Sequence, residues 1–436
     1  MNSTDLKAIA YGMLVVFLIS IAGLAIQFPY DNEYPSIGYS TDTPTDQVVQ
    51  LQHRIDNGEV ELQFDPVNGY LSSLLGHLEI PITSQILVFS KTSFQTDFVS
   101  PQTPRSIYFN DNTYIAWLQG APALEISAVD SKLGPVFYTL SQKRLEKPRF
   151  QRENYLCLRC HDSYSLTGGG VPRYIMGSGF TVASGQLASH EGWNITTYRS
   201  PLHERWGGWY VTGTHGKQLH MGNLIVENPA DTIRLDLSVG ANLTDLSKLI
   251  DTAPYLSNHS DIVALMVIEH QIYVQNLITR VNYDTRTTLY KEKLQNRELG
   301  LDSDHLSDTT LARLEEITEP LVRAMLFVDE SPLSARVVGT SGFTEKFANR
   351  GPQDQQGRSL RQLNLTKRLF QYRCSYLIYS QAFQALPELT KRYFYKRLAE
   401  VLDGRDQSKA FDHLSPAERQ AIREILDETK SHLPGL

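Results

Sequence analysis

Twenty-one consecutive residues without a charge, Ala8 to Phe28, open the pattern along the chain. A run of that length matches the roughly 20 apolar residues that a helix needs to cross a bilayer. Pro29 to Asp46 is rich in Pro, Ser, Thr, Asp and Tyr with no apolar period, and predicts an extended tether. Mixed helical hints from Gln47 to about residue 80 give way to β-branched and aromatic runs, "QILVFS", "SIYFNDNTYIAWLQ", "ALEISAV" and "PVFYTLSQ". Asn110, Asp111 and Asn112 predict a hairpin inside the second run, and "DSKLG" predicts another turn between the last two. Residues 47–145 therefore read as a small antiparallel β-rich domain. Residues 146–240 are loop-rich and punctuated by Gly168, Gly169, Gly170, Gly177, Gly179, Gly207 and Gly208.

Beyond residue 240 the period becomes helical, starting with "SDIVALMVIEHQIYVQNLITRV", whose nearly continuous apolar start predicts a buried helix. Near the end, Pro387 and Gly404 bracket one helix, and Ser415, Pro416 and Glu418 form a capping signal for the last. The expected fold class is α+β: an N-terminal transmembrane helix, a small antiparallel β-rich domain with a loop-rich region after it, and a helical domain over 241–436.

Charge orients this layout. Lys7 precedes the uncharged run, Asp31 and Glu33 follow it, and the next Lys or Arg is Arg54. The positive-inside bias places residues 1–7 in the cytoplasm, 8–28 as a single-pass anchor, and the main body in the periplasm or outside. A cleaved signal peptide ending near Ala25 is the main competing reading, but the leading region is barely basic and the run exceeds the usual 7–15 residues. A buried core helix is the third reading. The net charge of -7 and the absence of any long Lys/Arg run argue against a nucleic-acid partner.

The chain has only three cysteines, Cys157, Cys160 and Cys374, too few for a disulfide framework in an exported protein of this size. Two of them stand in "NYLCLRCHDS" as C-x-x-C followed by His161. Shuffling this composition would give that pattern about 4 times in 10,000. A thioredoxin-like dithiol has no need of His161, and a zinc site would want a second ligand pair of suitable spacing. Two thiols at this spacing can add to the two vinyl groups of a haem, with the adjacent histidine beneath the iron.

On these residues the chain resembles the c-type cytochromes, over the attachment motif Cys157 to His161 alone. The resemblance implies one haem c, thioether bonds at Cys157 and Cys160, and His161 as proximal ligand. It also implies maturation outside the cytoplasmic membrane, which agrees with the export signal. Pro172 loosely resembles the proline whose carbonyl orients the proximal imidazole in small cytochromes.

A second axial ligand separates electron transfer from chemistry at an open iron. Met221, sixty residues after His161, and His220 in "THGKQLHMGN" are the preferred candidates, with His215 and Met176 behind them and an open site as the remaining alternative. Arg173 and Arg205 are candidates to pair with a propionate, although most arginines near glycine loops make surface pairs. Trp206, Trp209 and Tyr210 could wall the pocket or belong to the core. Glu269, His270 and Gln271 interrupt an apolar helix and need partners if buried: a structural network is the plainer reading, a distal acid/base pair the sharper one. Cys374, among aromatic and aliphatic neighbours, reads as an inert buried thiol.

The expected function is a membrane-anchored periplasmic cytochrome that exchanges single electrons with redox partner proteins. The alternatives are a haem enzyme, peroxidase-like or handling small nitrogen oxides, and a haem sensor or complex subunit. Whether the chain is an enzyme is left undecided by its sequence.

Overall fold

The computed structural model describes residues 31–163, 169–188, 192–227 and 235–430. In chain order the strands are β1 (Ile86–Val88), β2 (Arg105–Phe109), β3 (Thr113–Trp117), β4 (Ala123–Asp130), β5 (Gly134–Ser141), β6 (Gln151–Arg152), β7 (Gly177–Ser178), β8 (Thr181–Val182), β9 (Asn194–Ile195), β10 (Trp209–Tyr210) and β11 (Ile225–Val226). The α-helices are α1 (Gln47–Asp56), α2 (Leu71–His77), α3 (Leu158–His161), α4 (Ile262–Leu299), α5 (Asp308–Met325), α6 (Phe343–Ala348), α7 (Gln381–Gln384), α8 (Glu388–Leu402) and α9 (Pro416–Thr429).

Seven strands form one antiparallel sheet in the order β10-β1-β2-β3-β4-β5-β6. The predicted hairpin is its centre. Asn110 Oδ1 accepts from the backbone N–H of Asn112 (3.0 Å) and Thr113 (2.9 Å), which closes the turn and sets Phe109 opposite Tyr114. Asp130 does the same for the next turn, accepting from Lys132 (2.8 Å) and Leu133 (2.9 Å). Gly134 then leaves the turn at φ +67°, and a β-carbon there would stand 2.3 Å from Thr279 Cγ2 on α4, so both the backbone and the neighbouring helix demand glycine.

The strands alternate strictly, and both faces are covered. Ile86, Val88, Phe109 and Phe137 join Leu265, Val267, Ile268 and Ile272 of α4 in one core, while Leu87, Phe89, Ile115 and Ile126 join Val48, Leu51, Leu71 and Leu74 of α1 and α2 in the other. The Gln271 side chain of α4 donates to Asn110 O (2.8 Å) and that of Gln275 donates to Asp111 O (2.6 Å), fastening the long helix to the hairpin.

This corrects the expected fold. The sheet is not small and does not precede the motif, because β10 returns from beyond it to pair with β1, and the helical segment shares its core with the sheet rather than forming a separate domain. Strands of two residues carry no readable period, and pairing across more than a hundred residues leaves no local trace. The expected transmembrane helix at Ala8 to Phe28 lies outside the described residues. Among the described residues, the one helix long and apolar enough to cross a membrane is α4, and 83% of its apolar stretch is buried inside the protein. Nor do residues 31–46 hang as an extended tether. Ile37 and Tyr39 are buried, the Tyr39 hydroxyl donates to Pro135 O (2.9 Å), and Asn32 Nδ2 donates to Asp162 Oδ2 (3.0 Å) beside the motif. At the other end, Ser415 Oγ accepts from Glu418 N–H (3.2 Å) and caps α9 as its sequence predicts.

Candidate cofactor site

The C-x-x-C-H run forms α3, a single helical turn in which Cys160 and His161 both donate backbone N–H bonds to Cys157 O (3.1 and 3.0 Å). Positions three and four apart on a turn lie on one face. Accordingly Cys157, Cys160 and His161 all line one cavity, roofed by Phe137 on β5, Trp209 on β10 and Ile268 and Ile272 on α4. Its walls are mostly apolar, and with its open mouth it spans about 960 Å³. The two thiols are free. Burial raises the Cys157 pKa to about 12, which keeps it a thiol rather than a thiolate.

His161 is held at one nitrogen and free at the other. Its Nδ1–H donates to Arg173 O (2.7 Å), the Arg173 N–H donates back to His161 O (2.9 Å), and the Phe137 ring lies 4.5 Å from the imidazole. This leaves the Nε2 lone pair available. Burial lowers the pKa of His161, so the ring stays neutral near pH 7. A neutral imidazole whose second N–H is tied to a carbonyl is the arrangement a metal ligand requires. The carbonyl belongs to Arg173, not to Pro172, one residue off the expectation.

The donor set fits a covalently attached haem. Two free thiols and one oriented imidazole share a face, and that face opens onto a large apolar cavity. Cys157, Cys160 and His161 would hold the group.

Other expected residues fall elsewhere. The Arg173 side chain is not in the cavity wall; it sits near Arg280 and Asp162, and burial together with Arg280 brings its pKa down to about 10. Arg205 is also absent from the wall. Its Nη1 pairs with Glu269 Oε2 (2.9 Å), its Nε donates to Ser200 O (2.8 Å), and its Nη2 donates to Tyr198 O (2.9 Å). Thr196 donates to the other Glu269 oxygen (2.7 Å), completing a closed buried pair. His270 points its Nε2 at Ser375 Oγ (2.8 Å), stacks on Phe327 at 4.1 Å and has its pKa lowered to about 3 by burial. The triplet is tied into buried hydrogen bonds with Thr196, Arg205, Ser375 and the hairpin, while His270 Nδ1 is buried without a partner among the described residues. Cys374 is fully buried, as expected of an inert thiol.

The preferred second-ligand loop also closes on itself. Met221 packs with Phe180, Leu224 and Val226, its Sδ accepting from Ser178 Oγ (3.5 Å), and its backbone N–H is tied to Arg205 O (2.9 Å). His220 Nδ1 accepts from Gly222 N–H (3.0 Å), and both His215 nitrogens are bonded, to Gln218 O (2.7 Å) and to the N–H of Asn242 (3.1 Å). None of the three lines the cavity. Met176 does, and it is 2% exposed. The segment that carries it is clamped to α4 by Asn276, which accepts from Tyr174 N–H (2.8 Å) and donates to Tyr174 O (2.8 Å).

Sequence reasoning missed the polar corner of the cavity. Arg105 Nη1 pairs with Glu125 Oε2 (2.8 Å), and Ser93 and Gln95 both donate to the other oxygen of Glu125. Strand alternation could have found it, since Arg105, Ile107, Glu125 and Ser127 all fall on the face that Phe137 shares. Of the aromatic trio, Trp209 lines the cavity while Trp206 and Tyr210 are core. No family profile, curated protein or solved structure matches this chain.

Proposed function

We propose that this chain is a monohaem c-type cytochrome that carries single electrons, with haem bound covalently through Cys157 and Cys160 and ligated by His161. The observation that carries the reading is that one helical turn presents both thiols and an oriented, neutral imidazole to the same large apolar cavity. Haem bound there supplies an iron centre that cycles by one electron. The protein's part would be to exclude water with Phe137, Trp209, Ile268 and Ile272 and to fix the imidazole through Arg173 O, while Met176 in the same cavity wall would be available as a further ligand and Arg105 as partner for a propionate. Redox proteins are its partners. The uncharged run of residues 8–28 and the requirements of haem attachment support export and anchoring on the outer side of the cytoplasmic membrane.

A second reading is favoured by one observation: the Arg105 and Glu125 pair stands inside the cavity, where an ion pair could serve proton transfer in a haem enzyme. The experiment is expression with a haem c maturation system, followed by haem staining of the denatured chain and spectra of both oxidation states. Covalent haem that is lost in Cys157→Ala/Cys160→Ala, with a six-coordinate low-spin iron that turns high-spin in Met176→Ala and not in Met221→Ala, is the expected result. Wild-type iron that is five-coordinate and binds CO would favour the enzyme, and absence of covalent haem would sink both readings.

A further inference from the structure

A second large cavity, which shares no wall with the first, lies between the segment after α5, the loop of residues 367–373 and the approach to α9. With its mouth it encloses about 770 Å³, and Glu330, Lys367, Arg368, Arg373, Lys409 and His413 line it. Its carboxylates are largely spoken for. Asp329 pairs with Arg199 (2.9 Å) and Arg323 (3.8 Å), and Glu418 behind the wall pairs with Arg373 (2.7 Å) and Arg368 (3.5 Å). Lys367 and Lys409 face the same space, and no carboxylate among the described residues lies within ion-pair distance of either. Four cations, Lys367, Arg368, Arg373 and Lys409, thus line the cavity against two carboxylates, Asp329 and Glu330, in a chain whose net charge is -7.

The backbone of this wall is strained as well. Phe327 holds a left-handed conformation at φ +57°, which a bulky aromatic L-residue rarely adopts, and Asp329 follows at φ +62°, where aspartate is more readily found. Strain of this kind collects at ligand clamps. Glu330, whose Oε1 accepts from Leu369 N–H (2.9 Å), has its pKa raised to about 7 by burial, so much of its charge is absent at neutral pH.

We infer that this cavity binds a multivalent oxyanion of the phosphate or sulfate class, contacted by Lys367 and Lys409 with Arg368 and Arg373 behind them. The site does not depend on haem. The same chemistry could be a free anion or a phospholipid headgroup, and the test separates them. Isothermal titration of the full chain with sodium sulfate and with inorganic phosphate, at ionic strength matched with chloride, should give saturable binding of one anion per chain. Lys367→Gln/Lys409→Gln, at two exposed positions, should weaken it at least tenfold while leaving the melting temperature without anion unchanged. Co-sedimentation with phosphatidylglycerol vesicles but not phosphatidylcholine vesicles, lost in the same variant, would assign the site to a headgroup; saturable sulfate binding without co-sedimentation would assign it to a soluble anion.

Sulfate keeps its charge between pH 8 and 6, so its affinity should rise over that range as Glu330 takes up a proton, and Glu330→Gln should flatten the rise. The other charged groups around Glu330 are Asp329, Arg205, Lys367, Arg368, Arg373 and Lys409, while His413, whose pKa burial lowers, stays neutral. The proposal is overturned if the wild type binds neither free anion nor vesicle, or if the double variant binds as well as the wild type.

Discussion

Histidine does opposite work at two places in this chain. His161 is kept neutral with one nitrogen tied to Arg173 O and the other left for a ligand. His270 and His220 are kept neutral to fill a core, both with pKa values lowered to about 3 by burial. A histidine whose folded pKa lies below its unfolded value of about 6.5 binds fewer protons when folded, so its stabilising effect is complete above 6.5 and is lost as pH falls toward 3. Glu330 acts in the reverse sense between about 4.5 and 7, since its folded pKa is raised. We therefore expect the unfolding free energy to fall between pH 6 and 4, and His270→Gln to flatten part of that fall; equal slopes in denaturant titrations of both proteins would refute the assignment. Glu269→Ala should be costlier at every pH, by about 3–5 kcal/mol, because it strands a buried Arg205, and urea unfolding reads that loss directly.

At the scale of elements, the helix caps were legible in the sequence because their signals are local, and the C-x-x-C-H spacing was legible too, but not that it folds as a helical turn. The spacing of Cys157, Cys160 and His161 already implies a shared face once they lie on a helical turn. Which of the candidate second ligands, Met221, His220, His215 or Met176, reaches the cavity was not legible. Met221 was attractive for its distance along the chain, yet that loop is bound up in its own hydrogen bonds, whereas Met176 reaches the cavity because Asn276 on α4 clamps the backbone at Tyr174. No sequence pattern announces a clamp made by a side chain a hundred residues away. The contact between Gly134 and Thr279 makes a cleaner test of how α4 meets the sheet. Gly134→Ala should cost roughly 3 kcal/mol, combining overpacking with the positive φ. In a double-mutant cycle with Thr279→Ala, the overpacking part should return and the backbone part should remain.

For the whole molecule, the sequence pattern correctly announced strands before the motif and helices after residue 240, and misjudged how they join. Mixed α and β content was legible from the change of period. The seven-stranded sheet was not, because β10 is two residues long and pairs with a strand more than a hundred positions earlier. The consequence is that the cavity has one wall from the sheet and one from α4, and neither half of the chain can build it alone. A truncation after residue 240 should therefore fail to give a soluble, protease-resistant fragment, since it would bare Ile86, Val88, Phe109 and Phe137. A stable, protease-resistant fragment would contradict a shared core.

One detail of the C-x-x-C-H turn bears on how such a protein can vary over time. The acceptor that orients the imidazole is a main-chain oxygen, and the bond returned to His161 O comes from a main-chain N–H. Neither belongs to a side chain. Position 173 is thus free to drift through most residue types without disturbing the imidazole of His161, and only proline, which has no N–H to give, breaks the pair. Arg173→Ala should keep the spectrum of the wild type, and Arg173→Pro should not. The orientation of His161 is inherited through the path of the backbone, so the residue that matters most to it would look, in any comparison of sequences, like one that hardly matters at all.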